Sequence, residues 1–254
     1  MRHQIKKILF KTLEWSIAVT IAFAFWLWVG KAIINQQTNY DTRDCVSNIE
    51  ILARRITQYT NENDFLPAGN SVKTISPPVN WRATILQVKA YDNRLGKGYR
   101  FDEPWNGPEN SKLHSADYDD FHCVLDSSPK NHTSYLTVQG PSTFFPDDGP
   151  IRLPENEDGL SNSILVVETH QSATHWMEPR DLRIEEAVKG LNRKGELSIS
   201  SNHKFFSGSK RDGAFVSFAD GRSQFLNSNI DPKLLRSLLE IDHPDKPKAQ
   251  FFSR

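Results

Sequence analysis

The chain has 254 residues, with 31 basic and 31 acidic side chains, 37% hydrophobic and 11% aromatic residues. That is enough apolar matter for one well-cored domain or two small ones, and it excludes wholesale disorder. Zero formal net charge removes the cationic footprint of a nucleic-acid binder, whose affinity comes from clustered Lys and Arg facing phosphates. Two cysteines, Cys45 and Cys123, are too few for a zinc site of the Cys-pair type and allow at most one bridge.

The apolar residues are concentrated near the start. Trp15 to Gly30 contains no charge, and Ala32, Ile33 and Ile34 extend the run past Lys31. A hydrocarbon core of roughly 30 Å needs about 20 helical residues, which residues 13–34 supply. Trp15, Trp26 and Trp28 suit its interfaces. Upstream stand Arg2, Lys6, Lys7 and Lys11, whereas downstream Lys31 and Arg43 are mixed with Asp41 and Asp44. The bias places residues 1–12 in the cytoplasm and everything after about residue 35 outside the inner membrane, where disulfides form. A cleaved leader is the rival reading, but the core is long and bulky and no small-x-small site follows it.

From Asp44 to Asn61 the apolar positions Ile49, Leu52, Ile56 and Tyr59 fall near helical spacing, with Glu50, Arg54 and Arg55 available for the wet side. No Pro or Gly interrupts Lys31 to Asn63, so span and amphipathic helix are expected to form one rod. Pro67, Gly69, Pro77 and Pro78 mark a change to loop-rich chain. Strands are predicted at Thr133 to Val138, Ser163 to Thr169, Gly213 to Phe218 and Arg222 to Leu226. Asp220-Gly221 turns the last two into a hairpin. Asp231-Pro232 offers an N-cap and a first-turn proline for a helix over Lys233 to Glu240. The segment 242–254, with Pro244 and Pro247 among charges, reads as a flexible tail. Region 101–160 reads as long loop over a sheet. The fold class is therefore α+β: a long N-terminal helix on a mainly antiparallel sheet, with one outward-facing domain over residues 35–241.

Phe10-Lys11-Thr12-Leu13-Glu14 ahead of an apolar helix resembles the mature start of type IV pilins and type II secretion pseudopilins. The family's first residue is commonly Phe and its fifth Glu. Leu9 stands where its peptidase expects Gly. Further motifs occur in order: Cys45-x-x-Asn48, Phe65 to Gly69, Asn80-Trp81-Arg82, Phe101 to Asn106 with Asn110, Cys123, Thr133 to Leu136, Asp158 to Ser163, Val167-Glu168, Trp176 to Pro179, and Phe218 to Gly221. Together they resemble the bacterial pseudopilin-like proteins with a large domain of unknown function and a C-terminal signature of His, nine residues and Asp-Gly. Here sixteen residues separate His203 from Asp220-Gly221, with Phe205 to Arg211 looking like an insertion. The resemblance implies a pilin-like fold, an assembly role for Phe10 and Glu14, and a Cys45–Cys123 disulfide. Two buried thiols are the alternative for the cysteines.

Other residues imitate chemistry. Glu168, His170, His175 and Glu178 carry N and O ligands, but their spacing fits no standard metal site. Asp117, Asp119, Asp120, Asp147 and Asp148 could offer oxygen to calcium, yet they lack the glycine-turn spacing of a calcium loop. Trp81, Trp105 and Trp176 could form a carbohydrate-facing patch, or lock long loops to the core. No nucleophile elbow and no phosphate-binding glycine loop occurs in the sequence. The resulting expectation is a non-catalytic, single-pass, pseudopilin-like protein without cofactor or metal. Its partners would be the lipid bilayer and pilin-like or secretion-system subunits, not nucleic acid. The alternative is a membrane-tethered module that binds glycan or protein through loops 101–160.

Overall fold

The computed structural model describes residues 2–69, 76–88, 98–116, 118–154, 157–204 and 209–247, with the backbone course alone for 2–14 and for 157–158. Helix α1 is a single element, Arg2–Asn63, of 62 residues, about 90 Å long at 1.5 Å per residue. Its outer part lays Cys45, Ile49, Leu52, Ala53 and Ile56 into the core. The steps of three and four residues are those of one helical face. Exit from α1 is tight: the Asp64 N–H donates to Thr60 O at 2.7 Å. Asp64 itself takes a left-handed φ of 69°, a helix-ending conformation usually given to glycine.

The sheet has strand order β1-β3-β5-β6 (Tyr135–Leu136, Ile164–Glu168, Gly213–Phe218, Ser223–Asn227), and all its pairings are antiparallel. The β5–β6 hairpin follows its sequence signal. The Gly221 N–H donates to Phe218 O at 2.9 Å, and Gly221 supplies φ 86°, as a three-residue hairpin loop requires. Ala214, Val216 and Phe218 alternate into one core, under Leu235, Leu238 and Leu239 of the closing helix. The other face meets α1, where Ser223 Oγ donates to Glu50 Oε1 at 2.6 Å. A shift of register between Ile164 and Val166 lets adjacent Leu165 and Val166 both join the α1 side.

The strand predicted over Thr133 to Val138 is divided. Tyr135–Leu136 pairs with β3, whereas β2 (Val138–Gln139) pairs in parallel with β4 (Leu182–Arg183) in a second, two-stranded sheet. Thr137 stands at the break, its N–H donating not to a strand but to Asp181 Oδ1 at 2.8 Å. Short helices complete the chain: α2 (Trp81–Ile85), α3 (Glu157–Ser161), α4 (Ile184–Ala187) and α5 (Pro232–Leu239). Asp231 caps α5 by accepting the Lys233 N–H at 2.7 Å, with Pro232 in the first turn. Lys246, in the segment expected to be a loose tail, donates to Ser237 O at 3.2 Å. Residues 248–254 lie outside those described.

A disulfide joins Cys45 of α1 to Cys123 of the loop layer, with Cα atoms 4.8 Å apart and the two cysteines 78 positions apart in sequence. It clips the outer half of α1 to the cover over the sheet. The helix and the antiparallel sheet together make an α+β layout.

Candidate functional site

The inner half of α1 holds the first candidate site. The apolar window within Trp15–Asn63 is long and apolar enough to cross a membrane, and 0% of it is buried. Trp15, Phe23, Trp26 and Trp28 are all more than half exposed. Leaving such a face in water is strongly unfavourable, at about 25 cal/mol per Å² of apolar surface. The side chains of Phe10 and Glu14 lie outside those described.

The resemblance motifs of the middle chain are explained by structure. Asn80 caps α2 through Oδ1, which accepts the Arg82 N–H at 2.6 Å. Arg82 is fully buried and donates to Asp181 Oδ1 at 3.0 Å, to Trp176 O at 2.9 Å, to Glu178 O at 2.9 Å and to Arg180 O at 3.0 Å. The same Asp181 oxygen accepts Trp81 Nε1–H at 3.0 Å. One charge pair thus ties α2 to the segment before β4 and ends β1, and its polar demands are met inside the core. Asn110 does the same for the Asp-Glu-Pro-Trp-Asn loop: fully buried, it accepts the Arg100 N–H at 2.8 Å and donates to Arg100 O at 2.8 Å and Pro104 O at 3.0 Å. Trp81 and Trp176 are core residues. Trp105 is half-buried, stacked on His175 with ring centres 5.4 Å apart. The three tryptophans therefore cover the core and present no common face to a sugar.

The cluster Glu168, His170, His175 and Glu178 is not brought together. His170 Nδ1 faces Asp126 Oδ1 at 3.3 Å. His175 lies between Trp105 and His114, where burial holds its pKa below the ordinary histidine value. Glu178 accepts the His175 N–H at 3.3 Å. Of the acidic loops, Asp120 pairs with Arg55 at 2.7 Å and Asp147 with Arg183 at 2.6 Å. Asp119 and Asp148 are exposed, and Asp117 lies outside the described residues.

Glu168 instead meets His203. Both are buried, and His203 Nε2 lies 2.7 Å from Glu168 Oε1. The other carboxylate oxygen accepts the Phe215 N–H at 3.0 Å. Sixteen residues separate His203 from Asp220-Gly221, and the described flanks of 205–208 meet. Lys204 and Lys210 form an antiparallel bridge, and the Arg211 N–H returns to His203 O at 2.8 Å. His203 lies beside β5, its ring against Phe215, and residues 205–208 lie outside those described. Its partner, 35 residues earlier, was invisible to a search by local spacing.

A surface cleft of about 540 Å³ is lined by residues from 170–173, 180, 192–201 and 210. Its rim carries left-handed backbone, with φ of 55° at Gln171, 52° at Ala173 and 53° at Asn192, which strains residues bearing a Cβ, and 74° at Gly195, which glycine adopts freely. Such conformations persist only where surroundings hold them. Gln171 is held by its N–H on Asp126 at 3.2 Å and its side chain on Ser127 Oγ at 2.8 Å. Asn192 is held by Asp212 Oδ1 at 2.9 Å. Arg193 is committed to Glu196 at 2.8 Å. Arg180, Lys194 and Lys210 make no ion pair among the described residues, so the cleft favours anionic groups. The sequence signal, basic residues around Gly190 and Gly195, is too common to have found it.

Comparison of the chain with protein-family profiles, with curated proteins and with solved structures gives no match.

Proposed function

We propose that this chain is a non-catalytic, single-pass membrane protein of pseudopilin-like build, acting in structural or secretion-related assembly outside the inner membrane. The observation that carries the reading is the continuity of α1. One unbroken helix offers lipid an apolar surface and then becomes the spine of an α+β domain, as the pilin resemblance implies. Arg2, Lys6, Lys7 and Lys11 ahead of the span support a cytoplasmic N-terminus. Glu14, a carboxylate at the mouth of the span, is costly in lipid unless paired, which suits it to a contact between neighbouring helices.

Affinity purification from the native membrane with Glu14→Ala tests the assembly role. Expected is a several-fold loss of co-purified pilin-like or secretion subunits at unchanged domain melting. Undiminished recovery of those subunits opposes the reading.

A second reading is a tethered binding module, favoured by the strained, cationic cleft over residues 170–210 and not by loops 101–160, whose polar groups are turned inward at Asn110 and Asp126. Charge reversal at Lys194 and Arg180 would abolish capture of an acidic polysaccharide if this reading holds.

A further inference from the structure

We propose that, when its disulfide is reduced, the protein binds one thiophilic metal ion through Cys45, Cys123 and His203. The two sulfurs and a ring nitrogen of His203 lie within 4.8 Å of one another, and all three residues are buried. In the oxidised protein the sulfurs are bonded to each other and offer no thiolate. A dithiol reductant gives the disulfide two electrons and two protons and becomes a disulfide itself. Cys45 and Cys123 are then free thiols, and metal binding displaces their protons.

The histidine is prepared for this role. Its Nε2–H donates to Glu168 at 2.7 Å, and Glu168 is itself held by the Phe215 N–H at 3.0 Å. A carboxylate that only accepts fixes the proton on Nε2 and leaves a lone pair on Nδ1. That Nδ1 is buried and has no hydrogen-bond partner among the described residues, an arrangement that costs free energy unless something occupies it. Carboxylate, imidazole and metal in series is how ligating histidines are oriented. The Phe215 ring stands edge-on to His203, with centres 5.1 Å apart, and walls the site with apolar surface.

Charge selects the ion. Two thiolates and a neutral imidazole around zinc(II) sum to zero, so loading the ion adds no net charge to the Glu168 carboxylate already buried beside His203. Sulfur and imidazole are the donors zinc prefers. The ligands come from α1, the loop layer and the segment before β5. The ion would therefore hold the same elements together that the disulfide holds when oxidised.

The test uses the full chain in detergent, reduced with dithiothreitol, freed of reductant under argon and titrated with zinc(II) against a chromophoric chelator. Expected is one equivalent bound by the reduced protein and none by the oxidised. Cobalt(II) in place of zinc is expected to give a thiolate-to-metal charge-transfer band in the near ultraviolet. His203→Gln, compared after confirming its fold in the oxidised form, is expected to weaken binding at least tenfold, and Glu168→Gln about 10–100-fold. Should reduction loosen the domain, zinc is expected to restore its near-ultraviolet circular dichroism. Equal zinc binding by reduced and oxidised protein, equal binding by His203→Gln, or failure of zinc to restore a lost signal overturns the proposal.

Discussion

Trp26 and Leu52 sit on the same helix, yet one is 69% exposed and the other 0%. The outer half of α1 has a single apolar stripe, with Glu50 and Arg54 on its flank; protein covers that stripe. The inner half is apolar all round from Trp15 to Gly30, and nothing among the described residues covers it. A helix with one greasy face needs a partner, whereas a helix greasy on every face needs a solvent. The two halves therefore answer to different physics, and substitutions should separate them.

The largest separation is expected at the polar lock of the outer domain. Arg82→Met strands Asp181 in the core and should cost about 3–5 kcal/mol of unfolding free energy, the usual result of breaking a buried pair. Removing both charges together should cost less. Urea titrations of the single and double variants check this, and equal losses would mean that the lock is not a pair.

Next come matched apolar truncations. Leu52→Ala should destabilise the domain by about 2–5 kcal/mol, while Ile21→Ala should leave its unfolding within about 0.5 kcal/mol. Thermal melts in detergent read both, and a comparable loss at Ile21 would place that residue inside a protein core.

A smaller effect is expected at the hairpin turn. Gly221→Ala forces a side chain into φ 86° and should cost about 1 kcal/mol, visible as a lowered denaturation midpoint with an unchanged slope.

The smallest effect is one of pH. Burial lowers the pKa of His175 below its ordinary 6.5, so beneath pH 6.5 the unfolded chain takes up a proton that the folded chain refuses. Stability should fall on acidification from that point down through the lower folded pKa. His175→Gln should flatten this part of the profile, measured as unfolding free energy against pH. The inner half of α1 carries no titrating side chain between Trp15 and Gly30, so its partition should not follow that profile.

Legibility in the sequence tracked the range of the interactions. The C-terminal end of α1, the Asp220-Gly221 hairpin and the Asp231 cap are encoded within a few residues and are readable to within one or two, whereas α1 begins at Arg2 and not at residue 13. The division of Thr133 to Val138 is not readable, because it depends on a carboxylate at Asp181 and a guanidinium at Arg82, both far along the chain. The site residues divide the same way. Local spacing groups Glu168 with His170 and His175, whereas folding pairs it with His203, which in turn lies beside the disulfide. Strain at Gln171 and Ala173 has no signature of its own in residue type, so the cleft they rim emerged only from the backbone.

The account turns on lipid as the solvent of the inner half of α1. Alkaline carbonate washing of native membranes, followed by immunodetection of the full chain in pellet and supernatant, addresses that claim directly. Retention in the pellet until detergent is added is the predicted result. Release into the aqueous supernatant without detergent would contradict it.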